Sequence, residues 1–371
     1  MGATWQDLLY SSVRSVEEVR KFLPLSDEEA EQMDKIIQRY PLCVTHYYLT
    51  LINQDDPDDP IRKMCIPDVY EFSEGGQTDT SGETENTVIQ GMQHKYKQTA
   101  LILSTNQCAM YCRHCFRKRM VGTSSDEVAR YLPIMADYLR THKEIDNVLV
   151  SGGDAFLNSN ETIEKYLQHF CQIPTLSFVR FGTRTPVVLP QRITEDEALL
   201  RILKFYGERK QIIIVTQFNH PRELTPEAVR AVRLLKEAGC VIRNQTVLLK
   251  GVNDNSNVLA ELMNTLVSYG VIPYYIFQCR PVEGVKNQFQ IPLTEGIDIV
   301  EGAKQQMNGQ AKSVRFAFSH PTGKIEILGK LSENRMIFKY HQAKNDEDQS
   351  RVFVAAVSDA QCWLNEVPKS Q

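Results

Sequence analysis

Between residues 99 and 280 the chain alternates apolar runs of strand length with stretches of helical period, and that alternation leaves few folds open. The runs fall at 100–105, 147–151, 178–182, 212–216, 242–249 and 273–278. Amphipathic segments at 128–142, 161–170, 196–206 and 226–238 lie between them. Strand–helix repetition calls for parallel strands joined by crossover helices. The runs are nearly continuously apolar, which predicts a sheet covered on both faces. Six units are too few for a closed eightfold barrel. They fit an α/β fold of another kind, a partial (β/α)6 TIM-like barrel left open.

The first run ends at Cys108-Ala109-Met110-Tyr111-Cys112-Arg113-His114-Cys115, a C-x3-C-x2-C spacing. In βα folds chemistry gathers at the C-terminal ends of strands, where these cysteines fall. Three close thiolates are one short of the usual set for a [4Fe–4S] cluster, so one iron stays open to a non-protein ligand. A zinc site with a remote fourth ligand would use the same residue type. Zinc pairs more often read C-x2-C twice, and no second pair is present. Cys43, Cys65, Cys171, Cys240, Cys279 and Cys362 stand singly, and most read as buried small hydrophobes.

Composition narrows the setting. Of 371 residues, 42% are hydrophobic and 24% charged, ordinary for a soluble globular enzyme. A net charge of −4 gives no electrostatic basis for binding nucleic acid. No apolar run is long enough to span a bilayer, and residues 1–10 lack the basic start and apolar core of a secretory leader. An odd cysteine count without such a leader points to a reducing, cytoplasmic compartment.

Residues 1–94 read as an N-terminal helical and irregular extension. Ser15 with Glu18, and Ser26 with Glu29, are capping boxes. Residues 74–86 are polar and rich in Gly and Thr and read as a surface loop. Residues 95–300 form the barrel core. Residues 301–371 form a small C-terminal segment, with strand-like runs at 314–318, 324–328, 336–340 and 352–357.

Several longer motifs follow in order: Tyr47-Tyr48-Leu49, Asp58-Asp59-Pro60-Ile61-Arg62-Lys63, the cysteine loop with Phe116-Arg117-Lys118-Arg119, Ser151-Gly152-Gly153-Asp154, Arg184-Thr185-Pro186-Val187-Val188-Leu189-Pro190-Gln191-Arg192, Phe218-Asn219-His220-Pro221, the stretch 244–254, and Pro273-Tyr274-Tyr275-Ile276. Through them the chain from about Tyr40 to Lys324 resembles the lysine 2,3-aminomutase family of radical SAM enzymes. The resemblance implies a [4Fe–4S] cluster on Cys108, Cys112 and Cys115. It implies S-adenosyl-L-methionine cleaved reductively to a 5′-deoxyadenosyl radical, and a one-electron donor such as flavodoxin or ferredoxin. It assigns Ser151, Gly152, Gly153, Asp154, Gln217 and Gln245 to S-adenosylmethionine, the two glycines reading as a close approach of backbone to ligand. Arg117 matches the arginine that holds the substrate α-carboxylate.

Lys324 matches the lysine that binds pyridoxal 5′-phosphate as an imine. The usual glycine run has shrunk here to Thr322-Gly323, and the two phosphate arginines are replaced by Lys95 and Thr99. Lysine-specific members hold the distal ammonium with two aspartates. Arg280 and Ser319 (or the adjacent His320) stand in those places. These exchanges argue against free lysine and for an amino acid with a distal acceptor, most simply a glutamate-like carboxylate. The implied activity is an isomerase, a 2,3-aminomutase acting on a small amino acid. Two other readings share the radical chemistry: a pyridoxal-independent epimerase, dehydrogenase or eliminase, and a modifier of a lysine on a partner protein. Neither a membrane nor a nucleic acid is an expected partner, and a homo-oligomer, a dimer, is expected. Position 255 is Asn and the tail holds only Cys362, so the zinc bridge of some aminomutases does not carry over.

Overall fold

The computed structural model describes residues 4–122 and 128–368. One mixed sheet organises it. Its strands are β1 (Thr87–Ile89), β2 (Met92–Tyr96), β3 (Thr99–Thr105), β4 (Asn147–Gly152), β5 (Phe178–Gly182), β6 (Gln211–Thr216), β7 (Val241–Leu248), β8 (Ile272–Gln278), β9 (Arg315–His320), β10 (Gly323–Ser332), β11 (Arg335–Ala343) and β12 (Val352–Ala356). They lie side by side in sequence order. Neighbours from β3 to β9 run parallel. The strands before and after them pair antiparallel. β1 and β12 do not pair among the described residues, so the sheet stays open.

The six predicted runs are β3 to β8, each end within one residue of expectation. The run at 314–318 becomes β9 and adds a seventh parallel strand. Successive strand residues point to opposite faces. Ala100, Ile102, Val148, Val150, Val179, Phe181, Ile212 and Ile214 are fully buried beneath the helices, each large apolar side chain contributing about 1.5–3 kcal/mol. The residues between them, among them Leu101, Leu149, Arg180, Val215, Gln245 and Val247, face a central cavity. Both faces are covered, as the apolar runs require, but the inner one is polar enough at Arg180 and Gln245 to hold a ligand.

Both predicted capping boxes form. Ser15 and Ser26 Oγ accept from the backbone N–H of Glu18 and Glu29 at 3.3 and 3.2 Å, and each carboxylate returns a bond. The N-terminal extension braces the cysteine loop. Cys43 O accepts from Tyr111 N, and Met64 O from Arg113 N, both at 2.9 Å.

One expectation fails. Residues 74–86 are not merely a surface loop: Thr80, Glu83 and Asn86 are buried, and Glu83–Asn86 is a helical turn leading into β1. The segment is polar because it supplies partners to buried arginines, a pairing invisible in its composition.

Candidate active site

The inner face of the sheet encloses a cavity of about 380 Å³, within the range of small-ligand pockets. Cys108, Cys112 and Cys115, Ser151 to Asp154, Gln217, Gln245, Lys95, Lys324, Arg117, Arg280 and Ser319 all line it. The structure thus brings together residues spread over 230 positions of sequence, from Lys95 to Lys324.

The cysteines sit on the loop after β3. Burial pushes the Cys108 thiol far above its ordinary value and Cys115 to about 11. A thiolate at such a position needs a bound cation, and iron supplies one. His114, between Cys112 and Cys115, is buried. Its Nε2 faces the side-chain amides of Gln217 and Asn219 at 3.4 and 3.3 Å. Those donors leave the ring proton on Nδ1, which is buried without a partner among the described residues. An unpartnered donor beside the thiols fits an acceptor such as a cluster sulfide. Arg184, from the turn after β5, donates through Nη1 to Cys112 Sγ at 2.8 Å and through Nη2 to Glu223 Oε1 at 2.5 Å.

The Ser151-Gly152-Gly153-Asp154 turn is built against that loop. Gly152 has φ +116°, and a Cβ there would lie 2.4 Å from Thr105 O. A Cβ on Gly153 would lie 2.3 Å from Gln107 O. The glycines therefore answer to the cysteine-loop backbone, where the sequence suggested approach to a ligand. Asp154 also has a local duty: its carboxylate accepts from the backbone N–H of Phe156 at 3.0 Å and of Arg184 at 2.7 Å. Gln245 sits at a break in the β7–β8 register, a device that re-aims side chains at functional sites.

At the same rim, Arg117 Nε donates to Glu83 Oε1 at 2.7 Å. Its two terminal nitrogens have no partner among the described residues. Arg119 donates to the other oxygen of Glu83 at 2.7 Å. Arg280 donates to the Ser81 hydroxyl, with Thr80 Oγ1 at 3.5 Å. The guanidinium carbons of Arg117 and Arg280 lie 4.4 and 4.2 Å from the centre of the Phe116 ring. Burial, with Arg117 adding to it, pushes Arg280 down to about 10.

Lys324 is the second residue of β10, opposite Ser319 in the antiparallel pairing with β9. Its amine rests 4.4 Å from the Tyr275 ring centre and 5.5 Å from that of Phe277. No acceptor meets it among the described residues. Burial, then Arg180, Arg280 and Lys95, push its pKa down to about 7. It is a cavity-lining amine, suited to condense with an aldehyde. Lys95 is pushed to about 7, burial first. Its ammonium donates to the carbonyls of His320 at 2.7 Å and Ser81 at 3.3 Å. His320 turns away from the cavity: its ring meets Thr322 Oγ1 at 2.7 Å and Asn365 O at 3.4 Å. Ser319 is the residue of that pair that lines the site.

Sequence reasoning missed Glu83, Arg180, Arg184 and His114. Arg184 and His114 lie inside quoted motifs and could have been singled out. Glu83 and Arg180 carry no local signal.

Residues 102–263 match the Radical SAM superfamily. The chain is 40% identical to a putative L-lysine 2,3-aminomutase of Aquifex aeolicus over 92% of its own length and 91% of that protein's. It is 41% identical to L-lysine 2,3-aminomutase of Clostridium subterminale over 82% of this chain and 73% of the other. It is 35% identical to glutamate 2,3-aminomutase of Clostridioides difficile over 83% and 71%. The chain belongs to the radical SAM family of amino-acid 2,3-aminomutases, isomerases that use a [4Fe–4S] cluster and S-adenosylmethionine.

Proposed function

We propose that this enzyme is a pyridoxal-phosphate-dependent 2,3-aminomutase whose substrate is a small amino acid with a distal carboxylate, glutamate most simply, rather than free lysine. One observation carries the reading. Six basic side chains line the cavity (Lys95, Arg117, Arg180, Arg184, Arg280 and Lys324) against two carboxylates, Glu83 and Asp154. Both carboxylates are engaged, Glu83 by Arg117 and Arg119 and Asp154 by backbone N–H groups. A distal ammonium would find no free carboxylate there. Opposite Arg280 it would also meet a like charge, at a cost of several kcal/mol in a closed site.

When bound, the cluster and S-adenosylmethionine supply hydrogen abstraction, and pyridoxal phosphate supplies the means for an amino group to move to the adjacent carbon. The chain's own residues do the positioning. Glu83 holds Arg117 by Nε and leaves its two terminal nitrogens for the α-carboxylate. Arg280, fixed by the Ser81 hydroxyl and the face of Phe116, takes the distal carboxylate. Lys324 offers a neutral amine at the cavity wall. The nine free cysteines suit a reducing cytoplasm that provides a one-electron donor.

Anaerobically reconstituted enzyme, supplied with S-adenosylmethionine, pyridoxal phosphate and a reductant, should convert glutamate to its 3-amino isomer with 5′-deoxyadenosine detectable. Turnover of lysine far above glutamate would overturn the substrate assignment.

A further inference from the structure

We propose that Arg180 anchors the phosphate of pyridoxal phosphate when the aldehyde end is held at Lys324. This rests on the pyridoxal-dependent reading above and adds a residue to it. A phosphate dianion in a closed site needs a cation that can turn hydrogen-bond donors toward it. Of the six basic groups lining the cavity, Lys324 is the amine itself and Arg184 is bound to Glu223 and Cys112. Lys95 is spent on two backbone carbonyls. Arg117 and Arg280 share the Phe116 ring beside the cysteines, at the end of the cavity where the substrate must meet the radical source.

Arg180 is different. Among the described residues its one hydrogen-bond partner is neutral, Asn147 Oδ1 at 2.6 Å from Nη2. Its Nε is buried and meets no acceptor among the described residues. A buried, unaccepted guanidinium donor is costly and asks for an anion. Asn147 also holds Thr99, through Nδ2 at 3.1 Å. Arg180, Asn147 and Thr99 therefore form one polar corner. Thr99 and Asn147 open β3 and β4 and pair with each other, so the corner lies toward the N-terminal ends of the strands, opposite the cysteine loop. Arg243 shows that a buried Nε alone is not enough. Among the described residues it too lacks an acceptor there, and both guanidinium groups lie over a ring, Arg243 over Tyr274 and Arg180 over Phe178, but Arg243 does not line the cavity. Thr99 has no charge to offer a phosphate, and Arg180 supplies it from β5, two strands away, through Asn147 on the strand between them.

The test compares binding of pyridoxal phosphate and of pyridoxal, followed by absorbance in anaerobically purified wild type, Arg180→Gln and Arg180→Lys. Iron content and circular dichroism establish that each variant is folded. In wild type the phosphate should tighten binding strongly. In Arg180→Gln that preference should fall by about tenfold or more, while pyridoxal affinity and borohydride labelling of Lys324 persist. Arg180→Lys should keep part of the preference, and its partial loss is a second reading should the glutamine variant not fold. An unchanged preference in either folded variant would overturn the role of Arg180. Absence of any pyridoxyl label on wild-type Lys324 would instead overturn the pyridoxal-dependent reading and this inference with it.

Discussion

Arg184 joins the cluster loop to the barrel: one arm lies 2.8 Å from Cys112 Sγ and the other 2.5 Å from Glu223 Oε1. Glu223 is fully buried and also accepts from Tyr48 Oη at 2.6 Å. Removing the guanidinium leaves a buried carboxylate unpaired. Arg184→Met should therefore cost about 3–5 kcal/mol of stability and lower the iron bound per chain. Anaerobic denaturant unfolding and iron assay measure both. Unchanged stability would mean that water compensates Glu223.

Gly153 is fixed by the backbone it touches. A methyl group 2.3 Å from Gln107 O cannot be accommodated without moving the cysteine loop. Gly153→Ala should lose most of its cluster on reconstitution while far-UV circular dichroism stays close to wild type. Full iron loading would show that the loop moves freely.

Two buried carboxylates set the acid limit of the fold. Burial raises the Glu71 carboxyl, but Arg113 and Lys118 overrule it and hold it below its ordinary 4.5. Glu83 behaves alike, with Arg117 and Arg119 overruling burial. A depressed folded-state pKa gives stability that is complete above the ordinary value and lost as pH falls through the folded one. Unfolding free energy should be flat near neutrality and fall below about pH 4.5. Glu71→Gln should remove part of that slope and cost about 3–5 kcal/mol at neutral pH.

Lys324 should show its environment in its pH dependence. Its amine is neutral above a pKa pushed down to about 7. Borohydride-trapped pyridoxyl label should rise as pH increases through about 7 and level off above it, whereas an ordinary lysine would still be rising at pH 9. Lys324→Met should take no label at that site.

Arg280 should decide substrate more than fold. Arg280→Gln should lower kcat/KM for glutamate by on the order of 100-fold, the ~3 kcal/mol of a hydrogen bond to a charged group. Its Tm should move little, since the partners left behind are hydroxyls. An unchanged kcat/KM would place the distal carboxylate elsewhere.

Much of this was legible in the chain. Local rules wrote the strands, the capping boxes and the cysteine loop, because periodicity, caps and turn residues act over a few positions. The motif residues could be assigned roles and do share one cavity. Glu83 could not be found that way. It lies in a polar stretch whose composition signals only a loop, and its meaning depends on Arg117, 34 positions later. Arg180 was equally silent: an arginine inside a strand acquires a role only from what its neighbours leave unsatisfied.

The sequence by itself determined the parallel strand order and the three-thiolate loop at a strand end, because both follow from short-range pattern. Only the tertiary structure decided which charges in the cavity are free. Pairing of Arg184 with Glu223 and of Lys95 with two carbonyls spends two of them, and Glu83 takes up the Nε of Arg117 alone. What remains at Lys324, Arg280 and Arg180 is set by side-chain geometry across the curved sheet, a relation between distant residues that linear spacing does not encode.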